Sequence, residues 1–184
     1  MAAQQPRTSV HRIDGDDVIR YVNDEWIAFA KANDASGMTA ENVIGHSIYD
    51  FIAGAETRHV YRLLLARVRS RRVALRVPFR CDSPTKKRCM TLHIRPYGTT
   101  GVEFISELRH EETRGPVLLL DPAIPRGEEA LRICSWCKRV LACQRWEEIE
   151  TAIAHLDLMQ SAEMPELKHG ICPECLAIVQ SART

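Results

Sequence analysis

The sequence predicts an α+β fold with an antiparallel sheet, followed by a small module held together by its cysteines. The first observation is the order of the segments, which runs strand, short helices, one long helix and then three strands. The second is a pair of Cys-x-x-Cys motifs, formed by Cys134, Cys137, Cys172 and Cys175. With 184 residues, 45% of them hydrophobic and 27% charged, the chain can bury an ordinary core.

The segments before the long helix are short. Residues 16–23 are rich in β-branched side chains and predict the first strand. Residues 24–33 have apolar side chains at helical spacing, and Asp24 is the predicted N-cap. Residues 33–42 carry polar turn residues, and 43–52 predict a loop with one helical turn.

Residues 55–70 give the clearest helical pattern in the chain. Val60, Leu64 and Val68 fall one turn apart, with Leu63 beside them, and arginines occupy another face. The helix is therefore predicted to lay this apolar stripe on the sheet.

Three strands are predicted after this helix, over 73–80, 89–97 and 101–108. The sequence GTTG between the last two is typical of a hairpin turn. Because the strands follow one another closely, we expect them to pair antiparallel.

The C-terminal part has a different composition. Residues 109–130 combine charges, a short apolar run, three prolines and two glycines, and predict a linker that can include a strand. Residues 145–159 predict a helix with Trp146 on its apolar face. The predicted division is a tail over 1–13, an α+β domain over 14–110, a linker over 111–130 and a four-cysteine module over 131–180.

The four paired cysteines predict a structural zinc site. Four thiolates supply a closed tetrahedral set, in which each Cys-x-x-Cys turn brings two sulfurs to one metal. Such a site has no open position, so this zinc is not expected to catalyse a reaction. His169 and Cys143 are the alternative ligands, and whether either contacts the metal stays open at this stage.

Other uses of the cysteines fit less well. A thioredoxin-like redox pair is expected within a βαβ unit, which the pattern lacks, and an iron–sulfur cluster is the remaining alternative. Covalent haem attachment needs a histidine after the second cysteine, where Lys138 and Leu176 stand.

Composition and charge limit the partners. A net charge of +1 gives no bulk attraction to nucleic acid or to an anionic membrane, so nucleic-acid binding is not favoured. The six arginines within 67–80 are interpreted as a solvated helix end and strand face. No apolar run is long enough to cross a bilayer, and the N-terminus lacks the apolar region of a secretory signal. We therefore expect a cytoplasmic protein without a membrane partner.

Several stretches resemble successive segments of a bacterial PAS domain: IRYVNDEWIAFAKAND, ENVIGHSIYDFI, TRHVYRLLLARVR, VPFRCDSP and MTLHIRPY. The resemblance covers roughly 14–110. The tail, with ICSWCKRV, RWEEIE and HGICPECL, is similar to a cysteine-rich module at the end of some bacterial PAS-containing and response-regulator-like signalling proteins. It implies a five-stranded antiparallel sheet with flanking helices around a small ligand cavity, a sensory role and a homodimer formed through the PAS domain.

The resemblance also makes three histidines candidate ligands of haem b. In haem-binding PAS oxygen sensors a histidine on the long helix ligates the iron, and His59 occupies a similar position. His46 and His93 are weaker candidates for the same role. An unliganded PAS domain that mediates dimerisation is the alternative.

The expected function is that of a sensory signalling protein. Its PAS domain would bind a small molecule or gas, and the signal would pass to a partner protein, the dimer interface or the zinc module. Two alternatives remain: a nucleic-acid-binding regulator that uses the zinc module, and a haem enzyme that activates oxygen or degrades haem. No catalytic constellation is visible in the sequence, so an enzyme is the less favoured class.

Overall fold

The computed structural model describes residues 8–33, 35–161 and 163–182. Its first layer is a five-stranded antiparallel sheet with the strand order β2-β1-β5-β4-β3. The strands are β1 Thr8–Ile13, β2 Ile19–Val22, β3 Leu75–Arg80, β4 Lys86–Tyr97 and β5 Gly101–Thr113. This is the five-stranded sheet that the resemblance implied.

Helices connect β2 to β3 and flank this sheet. They are α1 Asp24–Lys31, α2 Ala40–Val43, a 3-10 turn Ile48–Phe51 and α3 Ala55–Arg71. No helix among the described residues is both long and apolar enough to cross a membrane.

A second, four-stranded sheet forms the C-terminal module, with the order β8-β7-β6-β9. Its strands are β6 Arg126–Cys134, β7 Val140–Ala142, β8 Arg145–Glu147 and β9 Met164–Gly170. The β6–β9 pair is parallel, and the other two pairs are antiparallel. Two helices complete the module, α4 Ile149–His155 and α5 Pro173–Ser181.

The predicted tail and linker boundaries need correction. Residues 8–13 were assigned to the tail, but they form β1, whose hydrogen-bond partners in β5 lie far along the chain. Long-range pairing of this kind leaves no local signal in a six-residue segment. Residues 111–130 include the end of β5, a 3-10 turn at Leu118–Leu120 and the start of β6. Leu119 is fully buried in the module core, so this segment is packed rather than free.

Two helix predictions are also corrected. The side chain that caps α1 is Asn23, which accepts a hydrogen bond from Trp26 N–H at 2.9 Å, and Asp24 is the first helical residue. The helix predicted over 145–159 begins only at Ile149, because Trp146 lies on β8 in a hairpin with β7.

Helix α3 lies on the inner face of the first sheet. Val60, Leu64 and Val68 are buried as predicted, together with Leu65. Leu63 is 44% exposed and was wrongly included in the stripe. At 100° per residue, Leu63 and Leu65 lie equally far to either side of this stripe, so helical spacing alone could not decide which of them the sheet buries.

On the outer face of the sheet, a nearly buried carboxylate bridges two strands. The side chain of Glu103 is 3% exposed and pairs with Arg12 at 2.7 Å and with Arg95. Arg12 in turn lies over the rings of Tyr21 and Tyr97, at 4.6 and 4.4 Å. Burial alone would raise the pKa of Glu103, but the hydrogen bonds from the two arginines outweigh burial and lower this pKa.

We expect Glu103→Gln to lower the free energy of unfolding at pH 7 by about 1.5–3 kcal/mol, the range for a charge-assisted hydrogen bond. Because the folded-state pKa lies below the usual 4.5, the carboxylate stabilises the fold above pH 4.5. This stabilisation is lost as the pH falls through the folded-state pKa, so the difference between variant and wild type should shrink in acid. Urea titrations across pH measure it, with Glu128→Gln, an exposed position, as control. A difference independent of pH would contradict the assignment.

The two parts of the chain share one hydrophobic core. The cluster that contains Leu64 and Phe104 of the first sheet and its helices also contains Cys134, Trp136 and Cys172 of the C-terminal module. A second cluster, around Ile133 and Ile149, belongs to the C-terminal module alone. The module is therefore docked on the first domain through its cysteine-bearing end.

Polar contacts across the same junction support the docking. Glu56 on α3 pairs with Arg132 at 2.8 Å and accepts a hydrogen bond from Ile171 N–H at 3.2 Å. At the end of β3, Arg80 N–H donates to the carbonyl oxygen of Trp136 at 2.7 Å.

Gly54 is a point of close approach between the two parts. It has a φ of +84°, and a Cβ atom there would lie 2.4 Å from the carbonyl oxygen of His169. Positive φ with extended ψ is a conformation open essentially to glycine.

We expect Gly54→Ala to lower the free energy of unfolding by about 1–3 kcal/mol, from strained backbone and from contact with β9. Thermal denaturation checks this effect. The matched control is Gly37→Ala, because a Cβ at Gly37 meets no atom within 4 Å. Equal stability of the two variants would show that α3 and β9 do not approach as described.

Candidate metal centre

The first pair of cysteines lies on a tight turn between β6 and β7. Cys134 is the last residue of β6, and its N–H donates to the carbonyl oxygen of Arg139 at 2.8 Å. Lys138 N–H donates back to the carbonyl oxygen of Cys134 at 3.0 Å, with Lys138 at a φ of +64°. This backbone geometry turns the Cys137 side chain towards that of Cys134.

The second pair lies at the start of α5. Cys172 is the N-cap of the helix and Pro173 occupies its first turn, where a missing N–H costs nothing. The sulfurs accept backbone hydrogen bonds: Cys172 N–H donates to Cys134 Sγ at 3.3 Å, and Cys175 N–H donates to Cys172 Sγ at 3.4 Å. N–H donors of this kind stabilise thiolate charge.

All four sulfurs converge on one point. They lie within 4.8 Å of one another, and Cys134, Cys172 and Cys175 are buried. Tetrahedral zinc with Zn–S bonds of about 2.3 Å sets sulfurs about 3.8 Å apart. The Cys137 and Cys172 sulfurs are separated by 3.8 Å. The group could thus hold one metal ion, as the motif spacing predicted, and its dimensions are compatible with zinc.

The close packing of the four sulfurs also favours a cation. Hydrogen bonds from Cys137 and Cys175 lower the pKa of the Cys134 thiol. The same bond to Cys134 raises the pKa of Cys137 to about 12, and bonds to Cys134 and Cys137 raise that of Cys175. Crowded sulfurs in a buried site cannot all ionise alone, so the set needs a divalent cation to become a tetrathiolate. An all-sulfur donor set of this kind fits zinc.

The two alternative ligands do not join this group. His169 Nδ1 faces Ser135 Oγ at 3.3 Å, and that hydroxyl lies 2.8 Å from Thr57 Oγ1. Burial, and then the charge of Lys138, lower the pKa of His169. Cys143 is exposed in the two-residue turn between β7 and β8, at a φ of +47°.

The three candidate haem ligands lie apart from one another and outside the hydrophobic core. His59 is exposed on the outer side of α3, beside the exposed Leu63. His46 is exposed with its ring edge towards Phe51, and His93 pairs with Glu107 at 3.4 Å on the outer face of the sheet. Haem ligation stays a prediction.

The histidine that does lie on the inner face of the sheet is His11, on β1. Its ring stacks on Phe104 with a centroid distance of 4.5 Å, and burial lowers its pKa to about 4. Sequence analysis missed it because β1 was assigned to the tail. A neutral, stacked imidazole here is a packing element of the core.

Most of the arginines in 67–80 form hydrogen bonds or ion pairs with other groups of the same chain. Arg67 donates to Gln180 O, and Arg72 donates to the carbonyl oxygens of Gly98 and Thr99. Arg80, 9% exposed, pairs with Asp82 and with Glu148. These guanidinium groups connect structural elements and are largely occupied, which does not favour a phosphate-binding surface.

A cavity of about 370 Å³ lies at the junction between the two parts of the chain. One wall comes from the first domain, with Thr57, Tyr61 and Cys81, and the other from the module, with Trp136 and His169. Burial raises the pKa of Tyr61 to about 12 and raises that of Cys81, so both groups stay protonated. Sequence analysis missed this cavity, because its walls come from segments that lie far apart in the chain.

Comparisons with known proteins add little about family or function to what the geometry shows. No protein-family model and no curated protein matches the chain. Among solved structures, it is similar to the photoactive yellow protein domain of the sensor histidine kinase Ppr from Rhodospirillum centenum, with a TM-score of 0.42 and 18% identity. That match covers 54% of this chain and 90% of the other. Similarity at this level assigns neither a function nor a ligand.

Proposed function

We propose that the chain is a sensory signalling protein in which one structural Zn²⁺ holds the C-terminal module on a PAS-type sensor domain. The observation that carries this proposal is the position of the four sulfurs, which lie together at the face of the module that packs on the first domain. Zinc would be held by Cys134, Cys137, Cys172 and Cys175 and would supply fold stability rather than reactivity.

The proposed signal is a change in packing at this junction. Trp136, between the first two proposed ligands, contacts two elements of the first domain. The centroid of its ring lies 5.5 Å from that of Tyr61 on α3, and its carbonyl oxygen accepts a hydrogen bond from Arg80 N–H at the end of β3. A ligand that favours one arrangement of α3 and β3 would therefore bias the position of the module. We also propose that a partner protein binds the surface of the module and that the chain forms a homodimer through the sensor domain.

Metal analysis together with an absorption spectrum tests the proposal on the purified chain. We expect one zinc per chain, and a cobalt-substituted protein should show the intense sulfur-to-cobalt bands of tetrahedral thiolate ligation. The absorption spectrum of bound haem would instead indicate that haem is the sensing group. A chain that folds with substoichiometric metal would refute the structural role of zinc.

A further inference from the structure

The 370 Å³ cavity at the junction has the composition of a ligand site. Its volume is that of about a dozen water molecules and lies at the lower end of the range for small-molecule sites. Phe51, Ile52 and Phe79 give it an apolar side, which would enclose the body of a ligand. Phe51 is 36% exposed, so the mouth reaches solvent.

The polar groups of the cavity are mainly hydrogen-bond donors. Trp136 is 4% exposed, and its indole Nε1–H has no hydrogen-bond partner among the described residues. A buried donor without a partner is a cost to the fold that an acceptor atom of a ligand would remove. The Tyr61 hydroxyl and the Cys81 thiol are protonated and can donate as well.

Two cationic side chains line the cavity, and only one of them pairs with carboxylates. The Arg80 guanidinium is neutralised by Asp82 and Glu148. The Lys138 ammonium donates to the carbonyl oxygen of Ser135 at 3.2 Å and forms no ion pair among the described residues. Lys138 is one of the residues that line the cavity.

We propose that this cavity binds a small organic monocarboxylate with an apolar or aromatic body, whose carboxylate pairs with Lys138 and accepts the hydrogen bond of Trp136. The apolar body packs on the phenylalanine side of the cavity. Because both domains supply walls, such a ligand binds the docked arrangement and stabilises it. This inference rests on the proposed function, since it assigns the sensed ligand to the junction rather than to the interior of the sheet domain.

Isothermal titration of the zinc-loaded full chain with benzoate, 2-naphthoate and octanoate tests the proposal, with their neutral carboxamides as matched ligands. We expect at least one carboxylate to bind at one per chain, and its amide to bind at least tenfold more weakly. Lys138→Gln should weaken carboxylate binding at least tenfold, and Trp136→Phe should weaken it less. Lys168→Gln, which removes an exposed lysine outside the cavity, should leave the affinity unchanged.

The inference is overturned if none of the three carboxylates binds, if acids and amides bind equally, or if Lys138→Gln binds like the wild type. Zinc content is measured in every sample, so the two proposals fail separately. Stoichiometric zinc without carboxylate binding refutes the junction site alone. A wild-type chain that lacks zinc refutes the proposed function, and carboxylate titrations of that chain still report on the cavity.

Discussion

Replacing Cys172 with serine is expected to unfold the C-terminal module and to weaken the first domain with it. Structural zinc contributes about 10–16 kcal/mol to the folding of small zinc peptides at neutral pH, which is comparable to the whole stability of a domain. Serine is a good N-cap, so the variant keeps the start of α5 and loses mainly the proposed metal ligand. Urea denaturation followed by circular dichroism should show loss of helix and strand signal at lower urea.

The control for this prediction is Cys143→Ser. Cys143 is exposed in a turn and lies outside the group of four sulfurs, so its replacement should leave both the zinc content and the denaturation midpoint unchanged. A Cys172→Ser protein that binds one zinc and unfolds like the wild type would rule out a structural role for this residue.

Trp136→Ala is expected to separate the two parts of the chain without removing any of the four proposed metal ligands. The side chain is 4% exposed, belongs to the shared core and lies against Tyr61, so its truncation leaves a large cavity at the junction. Truncations of this size cost about 3–5 kcal/mol. Thermal denaturation should show a lower first transition, with separate unfolding of the two parts where the wild type unfolds as one.

Trp136→Phe is the matched control, because phenylalanine keeps an aromatic ring in the junction. We expect this variant to retain a single transition and most of the stability of the wild type. If Trp136→Ala unfolds in a single transition at the wild-type temperature, the junction contributes little and the module is not docked through this residue.

The sequence was informative wherever a pattern was local. The apolar spacing in 55–70 predicted α3 to within one residue, and GTTG marked the turn between β4 and β5. The four cysteines could be assigned to one site because Cys-x-x-Cys spacing has few physical explanations in a chain without a disulfide context. A local pattern is enough to predict an element when residues close together in the sequence form that element.

What sequence analysis missed depends on contacts between distant segments. β1 is a strand because β5, far along the chain, pairs with it, and α4 is short because Trp146 pairs across a hairpin. The junction cavity requires Tyr61 and Trp136 to meet, which no periodicity predicts. His59 was chosen from the resemblance and from its position on the long helix, and its exposure depends on which face of α3 meets the sheet.

Hydrogen exchange before and after removal of the metal with a chelator tests the central claim most directly. That claim is that one zinc both folds the module and holds it on the first domain. We expect removal of the metal to increase exchange throughout 131–182 and also at the amide of Arg80 and along the first turns of α3. Unchanged exchange in 131–182, or a change confined to the module with Arg80 and α3 still protected, would contradict it.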